Sequence, residues 1–167
     1  MIGVQHWFSR RALAAMIALG ALIAGGSIAR GQDLPAPKDT IFARKILMDS
    51  IGHNMDELEG IAAAQKVDLN EGKEHADIIS VMLMVFPHLF PTATNQWKPN
   101  VERDPGKDTF ASPDIWTKFA DFYKRAQDAS QLAFKASRAE NEAVFKDFVG
   151  QLRVSCDSCH GIYMKDN

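Results

Sequence analysis

The chain has 167 residues, room for one domain of ordinary size and not for two. Apolar residues make up 46% of it and charged residues 24%, which excludes a disordered tail and a membrane bundle as its overall class. With 19 basic against 21 acidic residues the formal net charge is −2, the wrong sign for nucleic acid as a partner.

The chain opens "MIGVQHWFSRRALAAMIALGALIAGGSIARGQDLP". Arg10 and Arg11 precede an uncharged stretch from Ala12 to Ala29, and small residues at Ser27, Ala29 and Gly31 precede a polar start. That is the layout of a secretory signal, so residues 1–31 read as a cleaved signal peptide, cut after Ala29 or Gly31, and 32–167 as the mature domain. An uncleaved anchor competes, because eighteen uncharged residues nearly span a bilayer. Gly25 and Gly26 interrupt the stretch and favour cleavage. "SRRALA" also hints at a twin-arginine route. The expected location is the periplasm, with no stable membrane insertion once the signal is removed. Without residues 1–31 the chain keeps 16 basic and 21 acidic residues, a net −5 to which a partner with a basic face would dock faster.

The mature part reads as four helices and no strand. From Lys38 to about Ala64, Ile41, Met48, Ile51, Met55, Leu58 and Ala62 recur at helical steps and form one apolar face. "QKVDLN" then breaks the pattern, with Asn70 placed to cap a second helix through Ile78, Ile79, Met82, Phe86 and Leu89, which Pro87 should distort or end. Residues 91–111 hold Pro99, Pro105 and Gly106 and read as a long connection. Ser112 as cap, Pro113 at the first helical position and Asp114 in the first turn announce a third helix, with Trp116, Phe119, Tyr123, Ala126, Ala129 and Ala133 as its stripe. After "SRAENE" the fourth stripe is Phe145, Phe148, Leu152, Cys156, Cys159 and Tyr163. Two short joints and one long one predict an all-α fold, an antiparallel four-helix bundle.

The chain's only cysteines, Cys156 and Cys159, sit in "VSCDSCHGIYMKDN" with His160 directly after the second. On a helix, positions 156, 159 and 160 fall within roughly a quarter of the circumference and face the interior. A redox disulfide has this spacing, but it depends on a thiolate at a helix N-terminus, and here about four turns precede Cys156. Zinc needs four ligands where this cluster supplies at most three. Covalent attachment of a c-type haem fits best: Cys156 and Cys159 hold the porphyrin and His160 is the proximal iron ligand.

The chain resembles a known family at several points in order. A signal peptide and a four-helix chain with CxxCH in the last helix are similar to the class II cytochromes c, the cytochrome c prime family. "ARKILMDSIGHNMDELEGIA" resembles the family's first helix, "LFP" at Leu89 to Pro91 the end of its second, and "SPDIWTKFADF" the start of its third. In that family the residue four after a first-helix Arg lies over the open haem face. The resemblance thus makes Arg44 the arginine and Met48 the distal residue. Members divide by whether that residue only blocks access, leaving a five-coordinate iron that binds nitric oxide or carbon monoxide, or bonds iron in a low-spin carrier. "KILMDSIGHNM" resembles the low-spin, Met/His-ligated branch more. A thioether stabilises ferrous iron, although methionine on a helical face is usually packing.

These observations together lead us to expect a periplasmic monohaem electron carrier and not an enzyme. It would hold one covalent haem c, with His160 and Met48 on the iron, redox proteins of the periplasm as partners, and a monomer favoured over a homodimer. A five-coordinate gas-binding cytochrome is the alternative. Arg44 is a possible propionate partner, and a solvated arginine is the competing reading. Arg153 is a weaker candidate. His53 is badly placed to replace Met48, and His75 and His88 read as surface residues. Tyr163 is expected to pack on the proximal side. The family often has a basic residue right after that aromatic, whereas here Met164 follows and Lys165 comes next.

Overall fold

The computed structural model describes residues 35–101 and 110–165, so the expected signal peptide, 1–31, lies outside the described residues. The first helix, α1 (Pro37–Ala63), starts with proline where a missing N–H costs nothing, and Asp39 sits in its first turn. Its buried face includes Ile41, Arg44, Ile51, Met55 and Leu58, the predicted stripe with one arginine added. Met48 and Ala62 are only partly buried.

Helix α2 (Leu69–Val85) is capped by Asp68 and not, as expected, by Asn70. The Asp68 carboxylate accepts from the backbone N–H of Asn70 and of Glu71 at 3.1 Å each, so the orphan donors of the first turn are already satisfied two residues upstream of the predicted cap. Pro87 ends the α-helix as anticipated. The chain continues as a 3-10 turn over Phe86–Leu89 and a second over Thr92–Thr94.

The predicted third helix is two pieces, α3 (Asp114–Thr117) and α4 (Phe119–Ser137), separated at Lys118, whose backbone leaves the helical region (φ −122°, ψ 36°). The helix starts one residue later than expected, with Pro113 and not Ser112 at the cap position, although the Ser112 hydroxyl oxygen accepts from the Asp114 N–H at 3.2 Å. Helix α5 (Glu142–Tyr163) is capped by Asn141, whose side-chain oxygen accepts from the Val144 N–H at 3.1 Å.

Four long helices form the antiparallel bundle, and the described residues contain no strand, only an isolated bridge between Ala111 and Met164. The cross-links show the direction of each pair. Along α2 and α4, Ser80 meets Ser130 and Asp77 meets Ser137 and Arg138. Glu59 of α1 meets Arg153 of α5, and Asp121 of α4 meets Tyr163 near the end of α5. Early residues of one helix thus face late residues of its neighbour in the α2–α4 and α4–α5 pairs. No helix among the described residues is long and apolar enough to cross a membrane.

Two hydrophobic clusters fill the interior. One gathers Ile51, Met55, Leu58, Ile79, Phe145 and Leu152 with the alanines of α4, among them Ala129, Ala133 and Ala136. The second, at the other end, gathers Phe86, Phe90, Ile115, Phe122 and Tyr163. Met48 and Leu47 pack against both, and Cys156 and Cys159 border one each.

Candidate cofactor site

Between the two clusters lies a cavity of about 270 Å³. The structure brings every predicted site residue to it: Arg44 and Met48 from α1, and Cys156, Cys159 and His160 from α5, all line its wall. The three α5 residues are half-buried. Behind them α5 is anchored by Phe145 and Leu152, whose side chains are fully buried. The apolar stripe that orients the helix therefore also aims the sulfurs and the imidazole inward.

The chemistry of this donor set discriminates among the three readings. Cys156 and Cys159 are not joined to each other. Burial pushes the Cys156 thiol up and the Cys159 thiol up to about 11, so neither carries the lowered thiolate character that disulfide exchange requires. Among the described residues no three His, Cys, Asp or Glu side chains are grouped to hold a metal ion, whereas a structural zinc takes four such ligands. A flat apolar group with a separate attachment point for each thiol and a metal for the imidazole fits both the donors and the cavity.

Arg44 is 3% exposed, which rules out the solvated reading. Its guanidinium donates to the Thr94 hydroxyl at 2.9 Å and lies over the rings of Phe90 (4.6 Å) and Trp116 (5.5 Å). The cation is thus held at the cavity wall by the loop after α2, and stacking on aromatic faces compensates part of its lost hydration. Arg153 makes a two-pronged bond to Glu59 at 2.7 and 2.6 Å, which joins α5 to α1 at the cavity's border and holds the Glu59 carboxyl below its ordinary range.

Tyr163 is buried, as expected, and closes the cavity at the end of α5. Its hydroxyl donates to Asp121 at 2.6 Å, and Arg125 donates to the same carboxylate at 2.7 Å and to the Ser158 hydroxyl at 3.2 Å. Burial, then this bond, pushes the Tyr163 phenol up to about 12, while the two donors lower the Asp121 carboxyl. Where Met164 stands in place of a basic residue, α4 thus supplies Arg125 to the cavity wall. The last turn of α5 is also tied through its backbone, the Ser112 N–H donating to the Tyr163 carbonyl and the Lys165 N–H to the Phe110 carbonyl, each at 2.8 Å.

The other described histidines, His53, His75 and His88, do not line the cavity. His53 and His88 are exposed, while His75 departs from its surface reading: it is half-buried and hydrogen-bonded to Asn54 of α1 at 2.9 Å. The sequence reading missed Phe90, Ile115, Phe122 and Arg125 as wall residues. Phe90 sits edge-on to Phe86 and Phe122 at 5.1 and 4.9 Å between ring centres. The repeat "FPHLFP", with two phenylalanines four apart across a helix-ending proline, was the available signal.

With this geometry in place, the comparison with known proteins is direct: the sequence model described as Cytochrome C' matches residues 39–164, which span every described helix but the first two residues of α1. The chain belongs to the cytochrome C' family. No curated protein sequence matches it. Solved structures with the same fold include cytochrome c' from Thermochromatium tepidum, at 17% identity and a TM-score of 0.68 over 78% of this chain and 98% of that one. Cytochrome c prime from Shewanella frigidimarina matches at 23% identity and 0.65 over 80% and 100%. A mutant of cytochrome c prime from Alcaligenes xylosoxidans, solved as its nitric oxide complex, matches at 18% and 0.65 over 80% and 100%. As a cytochrome C' the chain carries one covalently attached haem c.

These findings overturn the expectation of a His/Met-ligated electron carrier, and with it the placement in the low-spin branch. The family model and the solved relatives are cytochromes c', one of them holding nitric oxide, and they favour the five-coordinate alternative. The physical reason for the error lies in Met48. A buried-stripe methionine suits iron ligation and packing equally in sequence, and here its side chain is packed against both clusters as part of the cavity wall.

Proposed function

We propose that the protein is a five-coordinate haem protein of the periplasm that binds nitric oxide or carbon monoxide reversibly and turns over no substrate. Cys156 and Cys159 hold the haem through thioether bonds and His160 is the proximal ligand. When bound, the haem would supply an iron able to take up a small neutral gas. The chain's own residues do the rest. Met48, Phe86, Phe90 and Ile115 surround the space with apolar surface and keep water out, which favours a neutral diatomic over hydrated anions. Arg44, fixed by Thr94, keeps a positive charge at the wall where a haem carboxylate can pair with it. Tyr163 and Asp121 hold the last turn of α5, and so the His160 backbone, in place.

The single observation that carries this reading is a largely apolar cavity lined by Met48 from α1 and, among others, by Cys156, Cys159 and His160 from α5. Both a monomer and a homodimer accord with it. The test is absorption spectroscopy of the ferrous protein at neutral pH, with and without carbon monoxide. A high-spin spectrum that changes on adding the gas supports the proposal, and a low-spin spectrum unmoved by carbon monoxide refutes it.

A further inference from the structure

The edge of the cavity is uneven along α1. Lys45, Asp49 and Gly52 recur at helical steps along one border of the helix, and all three line the cavity. The next position on that border, Asp56, faces Arg153 at 3.8 Å, and Glu59 one turn further on completes the bridge that closes this side toward the packed end of the bundle. Of the three cavity-lining border positions, two carry side chains. At the third, Gly52 is exposed and a Cβ built there meets no atom within 4 Å. Gly52 also stands one turn after Met48 on the same helix face, beside the wall that covers the distal side.

A glycine inside a helix costs roughly 0.5–1 kcal/mol relative to alanine, and at this site neither a positive φ nor a close neighbour requires it. What it does provide is an opening. We propose that the missing side chain at Gly52 is the doorway through which a diatomic gas reaches the space beneath Met48, so that residue 52 sets how fast the gas enters and leaves. The idea rests on the gas-binding reading and adds to it the route of entry.

Gly60 supplies the control. It lies on the same helix, is exposed, has nothing within 4 Å of its built Cβ, and does not line the cavity. Replacing either glycine by alanine or leucine raises helix propensity, so all four variants should fold and melt at or above the parent temperature. The measurement is carbon monoxide association and dissociation on the ferrous holoprotein, by flash photolysis and ligand replacement. Gly52→Leu is expected to slow both rates by about tenfold, the effect of about 1.4 kcal/mol on a barrier. A doorway slows entry and exit equally, so affinity and the absorption spectrum should not change. Ethyl isocyanide, being larger, should be slowed more than carbon monoxide. Gly52→Ala should act weakly, and both Gly60 variants should match the parent.

Equal rates for Gly52→Leu and Gly60→Leu would overturn the inference and leave gas binding intact. So would a changed spectrum or haem content in Gly52→Leu, since the position would then be making room for the macrocycle. Failure of the parent protein to bind carbon monoxide at all would overturn the gas-binding reading, and the doorway with it.

Discussion

The two halves of the bundle interior are built from the same four long helices, yet they solve opposite problems. At the end where α1 meets α2 and α4 meets α5, the small residues Ala133, Ala136 and Gly72 let the helices approach, and Phe145, Leu58, Ile79 and Leu152 are fully buried in the gap. At the other end the helices are held apart by Phe86, Phe90, Phe122 and Tyr163, with the loop after α2 and the short α3 completing the wall. The first half is packed as protein interiors are, and the second surrounds the cofactor site. The difference teaches where stability and function reside in this chain: the closed half positions α5, and the open half uses that position.

Removing the thiols breaks the open half most completely. Cys156→Ala combined with Cys159→Ala should abolish covalent haem, read as loss of the haem stain on a denaturing gel and of the haem mass in mass spectrometry. In the closed half, Leu152→Ala should cost about 2–5 kcal/mol in chemical denaturation, while Met48→Ala, at a partly buried site, should cost clearly less. If the two cost the same, the contrast between the halves is wrong. Gly72→Ala sharpens the contrast from the other side. A methyl there would overlap the fully buried Phe145 ring, so overpacking by about 1–3 kcal/mol is expected. Gly150→Ala, where nothing stands within 4 Å, should be neutral or stabilising.

Tyr163→Phe removes a bond to a carboxylate that Arg125 still holds, so a loss of about 1 kcal/mol is expected in the same assay. The smallest effect is pH-dependent. The folded-state pKa of Glu59 is depressed below its ordinary 4.5 by the Arg153 bond. Its contribution is therefore fully present above that value and is lost as pH falls through the folded-state pKa. Glu59→Gln should lower stability near neutral pH and converge with the parent in acid. The gap should stay within about 1 kcal/mol because the pair is partly exposed.

Much of the closed half was legible in the sequence. Ile51, Met55 and Leu58 kept the predicted spacing, and Phe145 and Leu152 faced inward, because helical period alone decides which side is buried. CxxCH likewise placed two thiols and an imidazole on one side of α5. The open half was less readable because its wall and the residue that holds Arg44 come from segments without a period: Phe90 follows a 3-10 turn, Thr94 sits in another, and Ile115 belongs to a four-residue helix. The break at Lys118 left no composition signal, and the cap moved from Asn70 to Asp68 because both residues suit the role and only the backbone chooses. Met48 misled for a related reason, since sequence gives the face a methionine occupies but not what its sulfur touches.

The most direct test is carbon monoxide titration of the ferrous parent protein alongside Met48→Leu at neutral pH. Five-coordinate iron predicts that both proteins show high-spin spectra and that both bind the gas, because Met48 serves only as wall. A low-spin parent that resists carbon monoxide, converted to a gas-binding high-spin form by Met48→Leu, would contradict the account.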